Sequence, residues 1–253
     1  MILFASTEQL LSDDESVLYY TGLNNYSQFT LLLSTLLPMA NEIKYLSKKG
    51  INLTAEDQFL MLLIKLRRYK PDFELGKMFG VSKTDVSNII VTWVSFVTDY
   101  WSLLDSWPNQ NIIYSYMPQT LRDNCPADGV VSDAEIPIKM ENSRNAEKAS
   151  FSQYRLKKTL KFIAECAPGG LTFYCLEPQT ASTSGLQIRD GSPISGTMCL
   201  DQELAKSIPM EKLIGSTQTF RILASALNQI YAPLSPKIFS VCLMICSIKV
   251  GIV

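Results

Sequence analysis

Asp72–Trp93 reads DFELGKMFGVSKTDVSNIIVTW, and a glycine divides this stretch into two helical halves. Apolar side chains recur at the spacing with which two short helices bury a shared face: Leu75, Phe79, Val81, Val86 and Ile89. Gly76 is small where the helices approach, and Gly80 tolerates the left-handed conformation that commonly ends a helix. Ser82 and Asp85 have the spacing of a capping box that opens the next helix. The stretch therefore predicts a helix-turn-helix.

The second helix of a helix-turn-helix commonly enters the major groove of DNA. Its predicted exposed side carries four polar candidates for contacts with phosphates or base edges: Lys83, Thr84, Ser87 and Asn88. An asparagine side chain can read adenine through two hydrogen bonds. The alternative is a three-helix packing unit with an ordinary solvated face, because glycine turns between capped helices are common.

A supporting helix is predicted just before this stretch. Thr54 and Asp57 form a second capping pattern, and Pro71 ends the helix. The end of this helix is basic, with Lys65, Arg67, Arg68 and Lys70, and the first three of these are candidates for neutralising phosphates. Earlier in the chain, an acidic run at 13–15 is able to start a helix, residues 19–23 predict a turn, and residues 26–39 predict an apolar-faced helix. After the helix-turn-helix, we place the domain boundary between residues 107 and 126.

The pattern changes to strands after Gly129. Residues 130–138 predict a strand that carries acids, 151–154 and 159–166 predict two more, and 171–176 predict the returning strand of a hairpin. A short antiparallel meander behind an acidic strand is the arrangement that opens a ribonuclease-H-like fold. In that fold, carboxylates on the first strands hold divalent metal ions for phosphoryl transfer.

Composition describes a globular chain of 253 residues, with 47% hydrophobic and 19% charged residues and a net charge of −1. The absence of histidine excludes histidine metal sites and Ser-His-Asp triads. Six cysteines show neither CxxC pairs nor zinc spacing, and no secretory signal precedes them, so we expect reduced thiols in a nuclear or cytoplasmic protein. The apolar run at 238–253 is too short to span a membrane.

Charge is unevenly distributed along the chain. Residues 44–90 contain nine bases and five acids, a net charge of +4, and residues 139–161 contain seven bases and two acids, a net charge of +5. The second segment includes Arg155, Lys157 and Lys158. Two basic patches are the footprint expected of a protein that touches a polyanion, although segregation of this size also arises by chance.

Several segments in order resemble DDE-superfamily transposases of the Harbinger-like type, in which a helix-turn-helix precedes a ribonuclease-H-like nuclease. The similar segments, which together cover roughly residues 14–190, are Asp14–Pro38, Leu53–Trp93, Val130–Ile138, Ala149–Phe162 (ASFSQYRLKKTLKF) and Pro168–Glu177. The resemblance implies a nuclease that cuts and joins DNA at transposon ends with Mg²⁺ or Mn²⁺ held by three acidic residues. Asp133 would be its first catalytic acid. Because alternate residues of a strand share a face, Glu135 lies on the same face as Asp133 and is a candidate metal ligand if the site survives.

The sequence departs from that family where its chemistry would occur. An ungapped alignment places Ser132 at the first catalytic position, and a slip of one residue recovers Asp133. Gly185 occupies the position of the second acid, and no segment resembles the one that carries the third. Glycine offers no ligand atom, so metal ions would be poorly held, and small misplacements of reacting groups reduce rates by orders of magnitude.

We therefore expect an α+β chain with an N-terminal all-α helix-turn-helix domain and a partial ribonuclease-H-like domain. The predicted units are a leader at 1–50, a DNA-binding domain at 51–107, a partial nuclease at 126–200 and a tail at 201–253. The predicted function is that of a transposase-derived protein that binds double-stranded DNA, whose incomplete nuclease is inactive and holds no metal. One alternative is an active metal-dependent endonuclease that uses Asp133, Glu135 and an acid from the tail. Another is a protein-interaction or oligomerisation remnant. We expect no membrane partner and no small-molecule substrate.

Overall fold

The computed structural model describes residues 6–45, 52–101 and 215–249, together with the backbone of short strands between 138 and 180. The helices before residue 102 are α1 (Thr7–Leu10), α2 (Asp14–Thr21), α3 (Tyr26–Ala40), α4 (Ala55–Arg68), α5 (Asp72–Phe79) and α6 (Lys83–Trp101). The C-terminal segment, residues 215–249, includes α7 (Arg221–Ala224), a 3-10 turn (Ala232–Leu234) and α8 (Ser235–Lys249).

Side-chain caps explain where the early helices begin. Asp13 accepts a hydrogen bond from the Ser16 amide at 2.7 Å, which confirms a helix start at the acidic run. Thr54 caps α4 in the same way, with the Asp57 amide 3.1 Å from its hydroxyl. The turn predicted at 19–23 is shorter than expected, because α2 continues to Thr21 and ends at Gly22 with φ 82°.

Helix α4 is the centre of the helical core. Its residues from Phe59 to Ile64 are all 0% exposed, because α2, α3, α6 and α7 pack around it. An aromatic row crosses this core, with ring centroids 5.7 Å apart between Phe29 and Phe59 and 5.9 Å apart between Phe59 and Trp93. The predicted helices of this region, including the supporting helix before the helix-turn-helix, are confirmed.

The C-terminal segment is part of the same core. Helix α7 packs against α4, and α8 packs against α6. The apolar residues of α8 that the sequence left unassigned include Ile238, Phe239 and Ile245, each 0% exposed. In the described ranges, no helix has both the length and the apolar character that crossing a membrane would require.

The strands form two small antiparallel sheets. Their bounds are β1 (Ile138–Lys139), β2 (Thr159–Lys161), β3 (Ala164–Cys166), β4 (Thr172–Cys175) and β5 (Gln179–Thr180). One sheet has the order β1-β2-β5, and β3 pairs with β4 with Ala164 opposite Cys175. The β3–β4 pair agrees with the predicted hairpin, whereas the single strand predicted at 159–166 is wrong, since its two ends pair in different sheets. The strand predicted at 151–154 and most of that at 130–138 lie outside the described residues.

Candidate nucleic-acid interface

The turn between α5 and α6 has the geometry that its two glycines predict. Gly80 ends α5 in the left-handed region, with φ 71° and ψ 29°, and the Val81 amide donates to the Gly76 carbonyl at 2.9 Å. A Cβ atom on Gly76 would lie 2.6 Å from the Val81 carbonyl oxygen. This close approach requires glycine at position 76 and fixes the angle at which α6 leaves the turn.

A reciprocal capping box opens α6. The Asp85 amide donates to Ser82 Oγ at 3.1 Å, and the Ser82 hydroxyl donates to Asp85 Oδ2 at 2.6 Å. The Ser82 amide also donates to Asp85 Oδ2 at 3.3 Å. The predicted capping box is confirmed, so the first turn of α6 is held by side chains of the chain itself.

The first turn of α6 presents two of the predicted contact residues to solvent. Lys83 and Thr84 are both exposed. The positive end of the helix dipole lies at the same place, which favours an anionic partner. The arrangement can donate hydrogen bonds to phosphates or base edges from a rigid helix end.

The other two predicted contact residues of α6 are placed differently. Ser87 is half-buried, and its hydroxyl lies 2.9 Å from Asp72 Oδ2 and 3.2 Å from the Lys83 carbonyl oxygen. Asn88 is only 8% exposed, so its predicted position on the open side of α6 is wrong. The reason is that α6 contacts α4 and α5 and also α8 and the 3-10 turn, so a wider arc of the helix is buried than a three-helix module requires.

A buried polar network connects the elements that form the candidate interface. Asp72, the first residue of α5, accepts hydrogen bonds at Oδ1 from Lys65 Nζ at 2.6 Å and from the Tyr231 hydroxyl at 2.9 Å. Lys65 Nζ also donates to the Lys70 carbonyl at 2.8 Å. Burial lowers the pKa of Lys65 while the Asp72 carboxylate opposes that shift, and burial raises the pKa of Tyr231. The network joins α4, α5, α6 and the C-terminal segment.

The basic end of α4 is engaged within the protein. Lys65 is 3% exposed, so its predicted contact with phosphate is wrong: its charge is paired with Asp72. Arg67 Nη1 donates to the Thr219 carbonyl at 2.7 Å. The Arg68 guanidinium stacks on the Tyr19 ring at 3.9 Å and donates to the tyrosine hydroxyl at 2.8 Å. Arg67 and Arg68 remain half-exposed beside these contacts.

The remaining predicted site residues lie outside the described residues. These are Arg155, Lys157 and Lys158 of the second basic patch, the predicted metal ligands Asp133 and Glu135, and Gly185. Among the side chains that the structure describes, no group of three acids or cysteines is placed to hold a metal ion. The metal prediction concerns other residues and stays a prediction.

Sequence reasoning missed the supporting residues of the interface. Asp72 gives a weak signal, as an acid directly after Pro71 at the start of a helix, and Lys65 lies seven residues before it. Tyr231 gives none, since it is 159 residues from Asp72 in sequence and meets it through tertiary packing.

Residues 52–99 match the family model described as the helix-turn-helix of DDE superfamily endonuclease. The matched range begins just before α4 and ends within α6, so it covers the three helices of the candidate interface. No curated protein and no solved structure matches the chain. At residues 52–99, the chain therefore carries a helix-turn-helix similar to that of DDE-superfamily, transposase-like proteins.

Proposed function

We propose that this chain is a transposase-derived protein that binds double-stranded DNA through the first turn of α6. The observation that carries the proposal is the exposure of Lys83 and Thr84 at the start of a capped helix, in a helix-turn-helix similar to that of DDE superfamily endonucleases. A helix-turn-helix of that kind implies binding of DNA, because its second helix fits the major groove.

The side chains of the first turn of α6 suit a contact with a small number of phosphates or bases. Lys83 donates to phosphate oxygens or to the acceptors of guanine, and the Thr84 hydroxyl can donate to or accept from either a phosphate or a base. Ser87 is engaged by Asp72 and Asn88 is buried, so readout by α6 is confined to about one turn. Ser87 is then a positioning residue that holds α6 against α5.

The finer parts of the proposal rest on the sequence. The resemblance to Harbinger-like transposases, a partial ribonuclease-H-like domain at 126–200 and the loss of the second acid at Gly185 support a nuclease that no longer cuts DNA. Under the same proposal Arg155, Lys157 and Lys158 neutralise phosphates. An alternative is a protein-interaction or oligomerisation remnant, in which two copies of the chain associate.

Selection from a random library of duplex DNA tests the reading of bases by α6. The wild-type protein is expected to enrich a sequence motif, and the double variant Lys83→Ala/Thr84→Ala is expected to lose it and to bind the enriched site about tenfold more weakly, as the loss of one or two base contacts predicts. Lys237→Ala is the matched control, because Lys237 is paired with Asp99 on the far half of α6.

An identical motif from wild-type protein and from the double variant would show that the first turn of α6 does not read DNA. Circular dichroism should give the same helix content for all three proteins, since Lys83 and Thr84 are both exposed.

A further inference from the structure

Four cations meet where the end of α4 contacts the C-terminal segment. We name Arg67, Arg68, Arg221 and Lys249 the basic cluster. Arg67 donates to the Thr219 carbonyl at 2.7 Å, and its guanidinium lies 5.8 Å from the centre of the Phe220 ring, so Arg221 follows directly after two residues that touch Arg67.

The turn after α2 brings Lys249 to the same place. A Cβ atom on Gly22 would lie 3.2 Å from Arg67 Cδ and 3.4 Å from the Phe220 ring, which shows how closely this turn approaches the arginine. Two residues later, Asn24 Nδ2 donates to the Lys249 carbonyl at 3.1 Å. Three separate parts of the chain thus converge on the cluster.

The described residues provide no carboxylate partner for the cluster. Ion pairs within 4.0 Å join Lys65 to Asp72, Lys70 to Glu74 and Lys237 to Asp99, and none involves a member of the cluster. Among the described residues, Arg67 is satisfied by a carbonyl group and Arg68 by the Tyr19 ring and hydroxyl, contacts that do not neutralise either charge.

The arrangement is electrostatically unfavourable when the protein is alone. Burial, followed by the neighbouring charges of Arg68 and Arg221, lowers the pKa of Arg67. Burial, followed by the charge of Arg67, lowers the pKa of Lys249. An arginine stays protonated in proteins, so the mutual repulsion is not relieved by loss of a proton. A bound anion would relieve it, and Arg221 is exposed for such contact.

We propose that the basic cluster is a second DNA-contact site, at which Arg221 and Lys249, with Arg67 and Arg68 beside them, bind phosphate groups of the duplex backbone. The inference rests on the proposed function, and it adds the C-terminal segment to the DNA-binding surface. Guanidinium groups match the geometry of phosphate oxygens. Phosphate contacts here would supply affinity that is independent of sequence, complementing the short contact made by the first turn of α6.

The salt dependence of binding tests the cluster. Fluorescence anisotropy is measured with a labelled duplex of arbitrary sequence at NaCl concentrations from about 50 to 200 mM, a range in which phosphate contacts weaken strongly. The plot of log K against log[salt] has a negative slope. Arg221→Ala and Lys249→Ala are each expected to reduce the magnitude of that slope by about 1, because each removes about one phosphate contact. Lys237→Ala removes the same charge from α8 but breaks a pair with Asp99, and it should leave the slope near the wild-type value.

Slopes for Arg221→Ala and Lys249→Ala that equal those of wild type and of Lys237→Ala would overturn the proposal and leave the cluster as a solvated surface. Failure of the two proposals is distinguishable. If the cluster variants keep the wild-type slope while the selected motif still depends on Lys83 and Thr84, only the proposal for the basic cluster fails. If the cluster variants change the slope but the wild-type protein selects no motif that depends on Lys83 and Thr84, only the proposal that α6 reads bases fails. Thermal melting of each variant shows that the proteins compared are folded.

Discussion

Asp72 lies at the first position of α5 with its side chain 4% exposed, and three side chains from different parts of the fold converge on its two oxygens. A buried carboxylate is stable only when its charge and its lone pairs are satisfied. Lys65 supplies the charge, while Ser87 and Tyr231 supply hydrogen bonds. Asp72 therefore sets the relative positions of α4, α6 and the C-terminal segment.

Replacing Asp72 by Asn should destabilise the protein by about 3 kcal/mol, because the Lys65 ammonium is then buried without a counter-charge. Urea denaturation followed by circular dichroism measures the loss in the free energy of unfolding. Glu74→Gln is the matched control, two residues further along α5, since its pair with Lys70 has Glu74 47% exposed. That variant should change stability by less than about 0.5 kcal/mol. Equal effects of the two substitutions would contradict the role assigned to Asp72.

The sequence predicts the structural roles of some of these residues but not of others. Gly76, Gly80 and the Ser82–Asp85 capping box were predictable because their roles are local: each depends on backbone geometry within a few residues. Asn88 was not, because its burial depends on how many other elements pack around α6. The same holds for Tyr231, whose partner Asp72 is far away in sequence.

At the scale of elements, the C-terminal segment changes the description of the helix-turn-helix. Leu223 on α7 is 3% exposed, and Ile222 beside it is 0% exposed, both in a helix that packs against α4. The Tyr69 hydroxyl donates to the Ala226 carbonyl at 3.0 Å, which adds a polar contact to the apolar one. The module that supports α6 therefore contains residues that precede 102–214 in the sequence and residues that follow it.

Leu223→Ala should lower the free energy of unfolding by about 2–4 kcal/mol through the cavity it leaves. Hydrogen exchange should show reduced protection in α4 as well as in α7, because the two pack together. Ile230→Ala is the control within the same segment, since Ile230 is 49% exposed, and it should change stability by less than about 0.5 kcal/mol. Faster exchange confined to residues 215–249 would show that this segment folds separately from α4.

Periodicity predicted α3 to α6 because each carries its own apolar stripe, and side-chain caps mark the starts of α3, α4 and α6. It left residues 201–253 unassigned, since apolar residues lie on all sides of α8 and give no amphipathic stripe. A helix of that kind is hard to tell from a buried strand or an irregular tail by pattern alone. What identifies α8 as a core helix is its packing against α6, which is a tertiary property.

At the scale of the whole molecule, we propose that the chain performs no nuclease chemistry. Metal-dependent phosphoryl transfer needs several carboxylates around the ions, and Gly185 stands where the family resemblance expects the second. The hairpin of that region was predictable from local turn signals, whereas a carboxylate site depends on strands that meet across the fold. The sequence therefore supports inactivity through Gly185 and through the lack of a segment that resembles the one carrying the third acid.

We expect the full chain to show no cleavage of supercoiled or linear duplex DNA in the presence of Mg²⁺ or Mn²⁺ above the background of a protein-free reaction. Agarose gel electrophoresis over several hours is the measurement, with Asp133→Asn as the matched control. Cleavage by the wild-type chain that disappears in Asp133→Asn would establish a functional carboxylate site and replace the proposal of inactivity.

The return of the chain to its first helices has a consequence for its synthesis. The 113 residues from 102 to 214 are translated between α6 and the segment that covers it. At about 5–20 residues per second, roughly ten seconds pass between the synthesis of α6 and that of the segment that supplies α7 and α8. We therefore expect nascent chains of this protein to expose apolar surface on α4 and α6 until Phe220, Tyr231 and Phe239 have been synthesised.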